Sequence, residues 1–132
     1  SLTFQGDYET LYDQAGLMLR VDEKNWLKCG IEHSDGMTNF SIVVTRDNSD
    51  WSVIGQPLIS GPQTLRVTAQ NDAIVAHFLG QDGTWNLMRV ADFPLTKTTT
   101  IGPMACSPER SGFKARFQDL KITPPIQKPL HG

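Results

Sequence analysis

The side chains best suited to binding chemistry lie in the stretch N-W-L-K-C-G-I-E-H, residues 25–33. Trp26, Lys28 and Glu32 alternate there with apolar residues, as they would on a β-strand with one face on a core. An indole ring is an apolar plate for the C–H face of a sugar, and a cation and a carboxylate supply directional hydrogen bonds. The stretch therefore predicts either a surface that binds a polar ligand or an ordinary solvated strand face.

Two neighbouring segments extend this candidate surface. The strand-like run Leu17–Val21 is joined to Trp26 by a short turn. Antiparallel pairing would bring Arg20 and Trp26 to about 4.5–5.5 Å between Cβ atoms. A loop over residues 47–51 is predicted to add a polar rim and a second aromatic side chain. The candidate ligand-binding residues are Arg20, Trp26, Lys28, Glu32 and Trp51.

Catalytic groups are not indicated by the spacing of the carboxylates. Glycoside hydrolysis needs two carboxylates about 5–10 Å apart, but the residues two and four positions before Glu32 are Gly30 and Lys28. Glycine-rich nucleotide-binding loops and serine-hydrolase elbows are also missing from the sequence. We predict no catalytic residue, and a glycosidase built from carboxylates on different strands is the enzymatic alternative.

The spacing of the histidine and cysteine residues gives little support for metal or redox chemistry. The three histidines do not cluster, and the two cysteines, Cys29 and Cys106, lack metal-ligand spacing. Residues 47–50 (D-N-S-D) carry hard oxygen donors of the kind calcium prefers, but the same residue types are common turn formers. We predict no metal and no cofactor, with calcium at this loop as the alternative. The cysteines are predicted to be inert thiols, and a disulfide between them stays open.

Composition and charge narrow the class of protein. The chain has 132 residues, 39% of them hydrophobic and 20% charged, with a net charge of −2. These values are typical of one globular domain. Lysine and arginine are scattered along the sequence, which disfavours nucleic acid as a partner. The sequence contains no run of about 18 apolar residues of the kind that would predict a membrane span. Together with inert thiols, this composition predicts a cytoplasmic protein without nucleic-acid or membrane partners.

Period-two alternation along most of the chain predicts strands joined by tight turns. Short links between strands imply antiparallel hairpins, so the predicted fold class is an all-β sandwich. The final run, Phe113–Ile122, slips by one register between Phe117 and Leu120, which predicts a bulge. Two segments with proline and glycine interrupt this pattern: residues 55–62 are predicted to be a loop or a corner between sheets, and residues 96–108 are a second interruption.

The ends of the chain suggest a domain division and an open edge. Residues 1–123 are predicted to form one sandwich domain, and the proline-rich residues 124–132 a surface tail. Because the chain begins with the strand-like run Leu2–Tyr8, we expect N-terminal strands to be lacking and one sheet edge to be open. A protein partner or a second copy of the chain could cover such an edge.

Several runs together resemble the family called domain of unknown function 1349. The matching segments are Tyr12–Met18, Asn25–Glu32, Asp35–Gly36, Ser41–Thr45, Leu65–Val67, Gly102–Pro108 and Phe113–Ile122. The resemblance implies a concanavalin A-like jelly-roll sandwich of two antiparallel sheets. Relatives in this family include fungal proteins named for regulating enolase, and the outline is similar to sandwich modules of some xylosidases. Lectins with this fold bind sugars on the concave sheet face or its rim.

The best functional interpretation of the sequence is a non-catalytic module that binds carbohydrate or another small polar ligand on the concave face. A protein-interaction or regulatory domain is the main alternative, as the name of the fungal relatives suggests. A glycoside hydrolase is the third. The competing structural interpretation is that Trp26 only packs, on a polar face with no ligand.

Overall fold

A computed structural model describes residues 1–56 and 61–130 as a sandwich of two antiparallel sheets. The strands are β1 Leu2–Gly6, β2 Gln14–Asp22, β3 Asn25–Ser34, β4 Met37–Arg46, β5 Asn48–Gln56, β6 Gln63–Gln70, β7 Ala73–Leu79, β8 Trp85–Asp92, β9 Thr100–Cys106 and β10 Ala115–Gln118. The front sheet has the order β5-β4-β3-β2-β9, and the back sheet β10-β1-β6-β7-β8. No helix occurs in the described ranges. The predicted all-β, concanavalin A-like jelly-roll sandwich is confirmed.

The sheets are built from consecutive hairpins, as the turn signals predicted. Strands β2 to β5 follow one another across the front sheet, and β6 to β8 do so in the back sheet. The chain crosses between sheets after β1, β5, β8 and β9. Strand β9 consequently pairs with β2, and β10 with β1. These crossings close the sandwich around one core.

The core is formed by the alternate residues of both sheets. Leu17, Leu27 and Ile42 are among the buried front-sheet side chains, and Phe4 and Leu65 are among those of the back sheet. Because side chains alternate along a strand, the residues between them must point away from the core. We call the face of the front sheet turned away from the core its outer face. This alternation decides which side chains are available to a ligand.

Two glycines allow β2 and β3 to approach closely. Gly16 and Gly30 are direct partners in the ladder. A Cβ atom on Gly16 would lie 2.1 Å from the carbonyl oxygen of Cys29, and one on Gly30 would lie 2.1 Å from that of Ala15. Since both obstacles are backbone atoms, the strands could accept a side chain only by moving apart.

A buried carboxylate ties two crossing segments together. Asp13, which is 0% exposed, precedes β2, and Arg110 lies between β9 and β10. Nη2 of Arg110 donates to Oδ2 of Asp13 at 2.7 Å, and also to the carbonyl oxygen of Asp7 at 2.9 Å. Ser107 and the backbone N–H groups of Glu9 and Thr10 donate to the same carboxylate. The network therefore fixes the β1–β2 and β9–β10 crossings against each other.

The charge on Asp13 is stabilised in spite of its burial. Burial alone would raise the pKa of this carboxyl group, but the bonds from Arg110, from two backbone N–H groups and from Ser107 hold the pKa far below its ordinary value. These hydrogen bonds consequently stabilise the ionised form of Asp13 within the fold, which makes its role a structural one.

Two segments that were not predicted to be strands contain strands. Residues 48–51 belong to β5, and the tight turn before it is centred on Asp47, which has a φ of 62°. The segment 96–108 contains β9 despite Pro103. A proline is tolerated there because β9 is an edge strand, where one row of backbone groups has no partner strand. The other predicted loop, at residues 55–62, lies partly outside the described residues, since positions 57–60 are not described.

The N-terminal strand does not form the open sheet edge that was expected there, while the expected lack of N-terminal strands stays a prediction. Strand β1 pairs with β10 on one side and β6 on the other. The predicted bulge in the last strand is confirmed: Thr3 faces Gln118, but Ser1 exchanges backbone hydrogen bonds with Lys121, so one extra residue is inserted. Asp119 has a φ of 57° at this point. The domain division at residue 123 stays a prediction.

The two cysteines are free and lie on opposite faces of the front sheet. Cys29 is in the core, where burial raises the pKa of its thiol to about 12. Cys106 faces Gln14, whose side chain is on the outer face. A disulfide between them would have to cross the sheet. In the described ranges, no helix is long and apolar enough to cross a membrane.

We expect Gly30→Ala to lower the free energy of unfolding by at least about 2 kcal/mol, because its Cβ would overlap the backbone of β2. Urea denaturation measures this loss. Gly102→Ala is the matched control, since a Cβ at that position of the front sheet meets no atom within 4 Å. Equal stability of the two variants would contradict the proposed close approach.

We expect Asp13→Asn to lower the free energy of unfolding by about 3 kcal/mol at neutral pH, because Arg110 loses its buried anionic partner. The folded pKa of Asp13 lies below its unfolded value of about 3.9. The advantage of the wild type is therefore complete above about pH 4 and is lost as the pH falls through the folded pKa.

Denaturation curves between neutral and acidic pH test this dependence on Asp13. Asp35→Asn, in the exposed β3–β4 turn, is the control and should change little at any pH. A loss for Asp13→Asn that is the same at all pH values would show that shape rather than charge matters at this position.

Candidate functional site

All five predicted ligand-binding residues lie on the outer face of the front sheet. The strand register gives two neighbouring rows of side chains across β2 to β5. One row contains Arg20, Trp26, Thr45 and Ser49, and the next contains Met18, Lys28, Val43 and Trp51. Glu32 follows two rows further along, between Gln14 and Asn39. The structure thus brings these residues to one surface, in two groups.

The first group lies beside the β2–β3 hairpin. Arg20 and Trp26 are direct ladder partners, as the sequence predicted. The ammonium group of Lys28 lies 5.8 Å from the centre of the Trp26 ring, within the range of a cation–π contact. Arg20 is exposed, whereas Trp26 and Lys28 are half-buried. The group therefore presents two cations beside an aromatic plate.

The second group is a chain of hydrogen bonds that runs from Trp51 to Glu32. Nε1 of Trp51 donates to Oγ of Ser41 at 3.0 Å, and Oγ of Ser41 donates to Oε2 of Glu32 at 3.2 Å. Trp51 is 55% exposed, although Glu32 at the other end of the chain is only 4% exposed. Ser41 thus couples an exposed aromatic side chain to a buried carboxylate.

Glu32 lies in surroundings that disfavour its charge. Burial raises the pKa of its carboxyl group, while the hydrogen bond from Ser41 and the charge of Lys28 act in the opposite direction. Glu32 forms no ion pair with any described residue. A buried carboxylate with a raised pKa and no ion-pair partner is typical of functional sites.

Sequence reasoning missed the contribution of β4 to this surface. Ser41 and Asn39 are both buried on the outer face, and Nδ2 of Asn39 donates to the carbonyl oxygen of Glu32 at 3.3 Å and to Oγ of Ser34 at 2.9 Å. The signal was available in the short turn at Asp35 and Gly36. Pairing outward from that turn places Asn39 opposite Glu32 and Ser41 opposite Gly30.

Trp51 is exposed on the outer face as part of a strand, whereas the sequence predicted a loop. It is part of β5 and lies across Val43 from Lys28, rather than on a loop at the rim. Asp50, its neighbour, points to the core side and forms a bidentate ion pair with Arg89 of β8. Nη2 of Arg89 donates to Oδ2 of Asp50 at 2.6 Å, and Nη1 donates to Oδ1 at 3.0 Å. Residues 47–50 consequently do not form the loop that a calcium site would need.

Metal ligands do not cluster elsewhere in the described ranges. Across residues 1–56 and 61–130, no three histidine, cysteine, aspartate or glutamate side chains are arranged to hold a metal ion. The chemistry that this face can perform is the recognition of a polar molecule by aromatic, cationic and carboxylate groups.

The sequence matches the model of one protein family over residues 1–125, and that family is described as "Protein of unknown function (DUF1349)". The chain belongs to this family. The resemblance noted from the Tyr12–Met18 and Asn25–Glu32 segments is thereby confirmed. The match covers all ten strands of the sandwich.

A named relative is similar to almost the whole chain. Regulation of enolase protein 1 from Saccharomyces cerevisiae is 44% identical over 127 residues, which is 96% of this chain and 64% of that protein. The chain therefore spans somewhat less than two thirds of the length of this relative. A crystal structure of a functionally unknown Saccharomyces cerevisiae protein superposes with a TM-score of 0.88 at 42% identity, covering 95% of this chain and 68% of that one.

A more distant likeness concerns the fold alone. The GH43 protein BlXynB from Bacillus licheniformis gives a TM-score of 0.71 at 13% identity, covering 88% of this chain but only 26% of that protein. At this identity, the similarity extends to the sandwich architecture and not to its chemistry.

We expect Glu32→Gln to raise the free energy of unfolding at pH 7. The folded pKa of Glu32 is above its unfolded value of about 4.3, so wild-type stability falls as the pH rises from the unfolded pKa to the folded one. The amide oxygen of glutamine can still accept the bond from Ser41, and glutamine has no charge to bury.

Chemical denaturation at several pH values measures this difference. The gap between variant and wild type should close as the pH approaches about 4. Glu23→Gln, in the exposed β2–β3 turn, serves as the control. A Glu32→Gln protein that is less stable than wild type at pH 7 would mean that the carboxylate supports the fold.

Proposed function

We propose that the outer face of the front sheet binds a small polar ligand, and that carbohydrate is the best-fitting class. The observation that carries the proposal is the buried carboxylate of Glu32, which has a raised pKa and lies on a sheet face rather than in the core. Packing does not require an ionisable group there. A ligand hydroxyl that donates to Glu32 would add a second side-chain or ligand donor to the one that Ser41 provides.

Each remaining side chain has a distinct role in this proposal. Trp26 provides the apolar plate on which a sugar ring stacks, and Arg20 and Lys28 donate hydrogen bonds to its hydroxyl oxygens. Trp51 forms the second aromatic wall, held toward the surface by its bond to Ser41. The module acts by binding, with no group assigned to catalysis, and the two free thiols favour a cytoplasmic setting.

We expect the wild-type protein to bind at least one glycan class on an array, with affinities then measured by calorimetry. Trp26→Ala should weaken binding at least tenfold, equivalent to about 1.4 kcal/mol, because the stacking surface is removed. Glu32→Gln should also weaken binding while leaving the protein at least as stable as wild type. This separation of affinity from stability distinguishes a ligand contact from a packing residue.

Trp85→Ala is the matched control for this experiment. Trp85 is a half-buried tryptophan on β8 of the back sheet, where it lies beneath the guanidinium group of Arg66 at 4.2 Å. Its removal should leave glycan affinity unchanged. A folded wild-type protein that binds no glycan or small polar metabolite would contradict the proposal.

A regulatory protein-interaction domain is the second candidate. It is supported by the 44% identity to Regulation of enolase protein 1 and by the exposure of Trp51 and Val53 on the outer face. Purified enolase provides the direct comparison in the same calorimeter. Saturable binding to enolase that survives Trp26→Ala but not Trp51→Ala would favour this candidate over the carbohydrate one.

A further inference from the structure

We propose that strand β5, Asn48–Gln56, pairs edge to edge with β5 of a second copy of the chain. Within the described residues, β4 is the one strand paired with β5, along nine consecutive residue pairs without a register shift. The other side of β5 consequently presents backbone N–H and C=O groups to its surroundings. A long, regular edge of this kind is a template for another strand.

The other three sheet edges carry features that discourage such pairing. Strand β10 has only four residues, and β9 contains Pro103, which lacks an N–H group. Strand β8 contains a bulge, because Ala76 faces Arg89 and the next residue, His77, faces Leu87, which leaves Met88 as an extra residue. Strand β5 has nine residues and contains no proline, lysine or arginine. Proteins protect edges with these devices and with inward-pointing charges; of these β5 has only Asp50, whose charge is paired with Arg89.

The pattern of β5 fits a copy of itself. An antiparallel pair centred on Ser52 places Trp51 opposite Val53 of the second copy, and Val53 opposite its Trp51. Both residues lie on the outer face, where Trp51 is 55% and Val53 48% exposed. Aromatic residues opposite β-branched ones are favourable cross-strand pairs, and this register forms two of them. The exposed apolar side chains of the edge are therefore covered by the same pairing.

Charge does not oppose this arrangement. Asp50 is the one charged residue of β5, and it is already paired with Arg89 on the core side. In the register centred on Ser52, the two copies of Asp50 are four residue positions apart, or about 13 Å at 3.3 Å per residue. That separation exceeds the Debye length of about 8 Å at physiological ionic strength.

The consequence for the surface is one continuous sheet with two outer faces side by side. The Trp26 and Lys28 group of each copy stays away from the seam, because β3 lies two strands from β5. The dimer thus leaves the Trp26 and Lys28 group open to a ligand, whereas Trp51, the second aromatic wall of the proposed site, lies at the seam. A protein with two such faces could engage two sites of one polymeric ligand.

Sedimentation velocity over a concentration series tests the proposal. We expect the wild type to dimerise and Val53→Glu to raise the dimer dissociation constant at least tenfold, because a carboxylate would be set against Trp51 of the second copy. Val90→Glu is the matched control: Val90 is also 48% exposed and lies on edge strand β8 of the back sheet. It should leave the dimer unchanged.

The register is tested by the double variant Trp51→Lys, Val53→Glu. It places a lysine opposite a glutamate twice across the seam, so it should restore at least part of the dimer that each single variant loses. Thermal unfolding checks that every variant is folded. A wild type that stays monomeric, or a dimer that survives Val53→Glu, would overturn the proposal. A folded double variant that stays monomeric would overturn the register.

Discussion

The structure depends on the charge of Asp13 and on where that charge is held. Its carboxylate accepts hydrogen bonds from Arg110 and from backbone N–H groups of the β1–β2 crossing. These bonds hold the last residues before β2 in place. The N–H of Tyr12 donates to the carbonyl oxygen of His33, and the N–H of His33 to that of Asp13. These bonds extend the β2–β3 ladder beyond Gln14 and help to fix its register. That register is what places Arg20 beside Trp26.

The surroundings of two buried carboxyl groups shift their pKa values in opposite directions. Asp13 is surrounded by donors and has a lowered pKa, so its charge strengthens the fold. Glu32 is held mainly by one hydroxyl group and has a raised pKa, so its charge weakens the fold. Groups of the first kind explain how a sandwich is closed. Groups of the second kind mark the surface where a function is to be sought.

The family resemblance predicted architecture because the residues that carry it are architectural. In the run Y-D-Q-A-G-L, Tyr12 adopts a φ of 66°, Asp13 ties the crossings and Gly16 allows the close approach of β3. None of these side chains has to contact a ligand for its role in the fold. A match over these residues consequently predicts the sandwich far better than it predicts what the sandwich binds.

The sequence alone determined the two-residue alternation, the tight turns and, through them, the core and the residues of β2 and β3 on the outer face, because these depend on local neighbours. It did not determine that residues 48–51 form an edge strand, or that Ser41 joins Trp51 to Glu32. Pairing across the sheet decides such contacts, and it brings together side chains that are distant along the chain. For the same reason, the burial that raises the pKa of Glu32 emerged only from the tertiary structure.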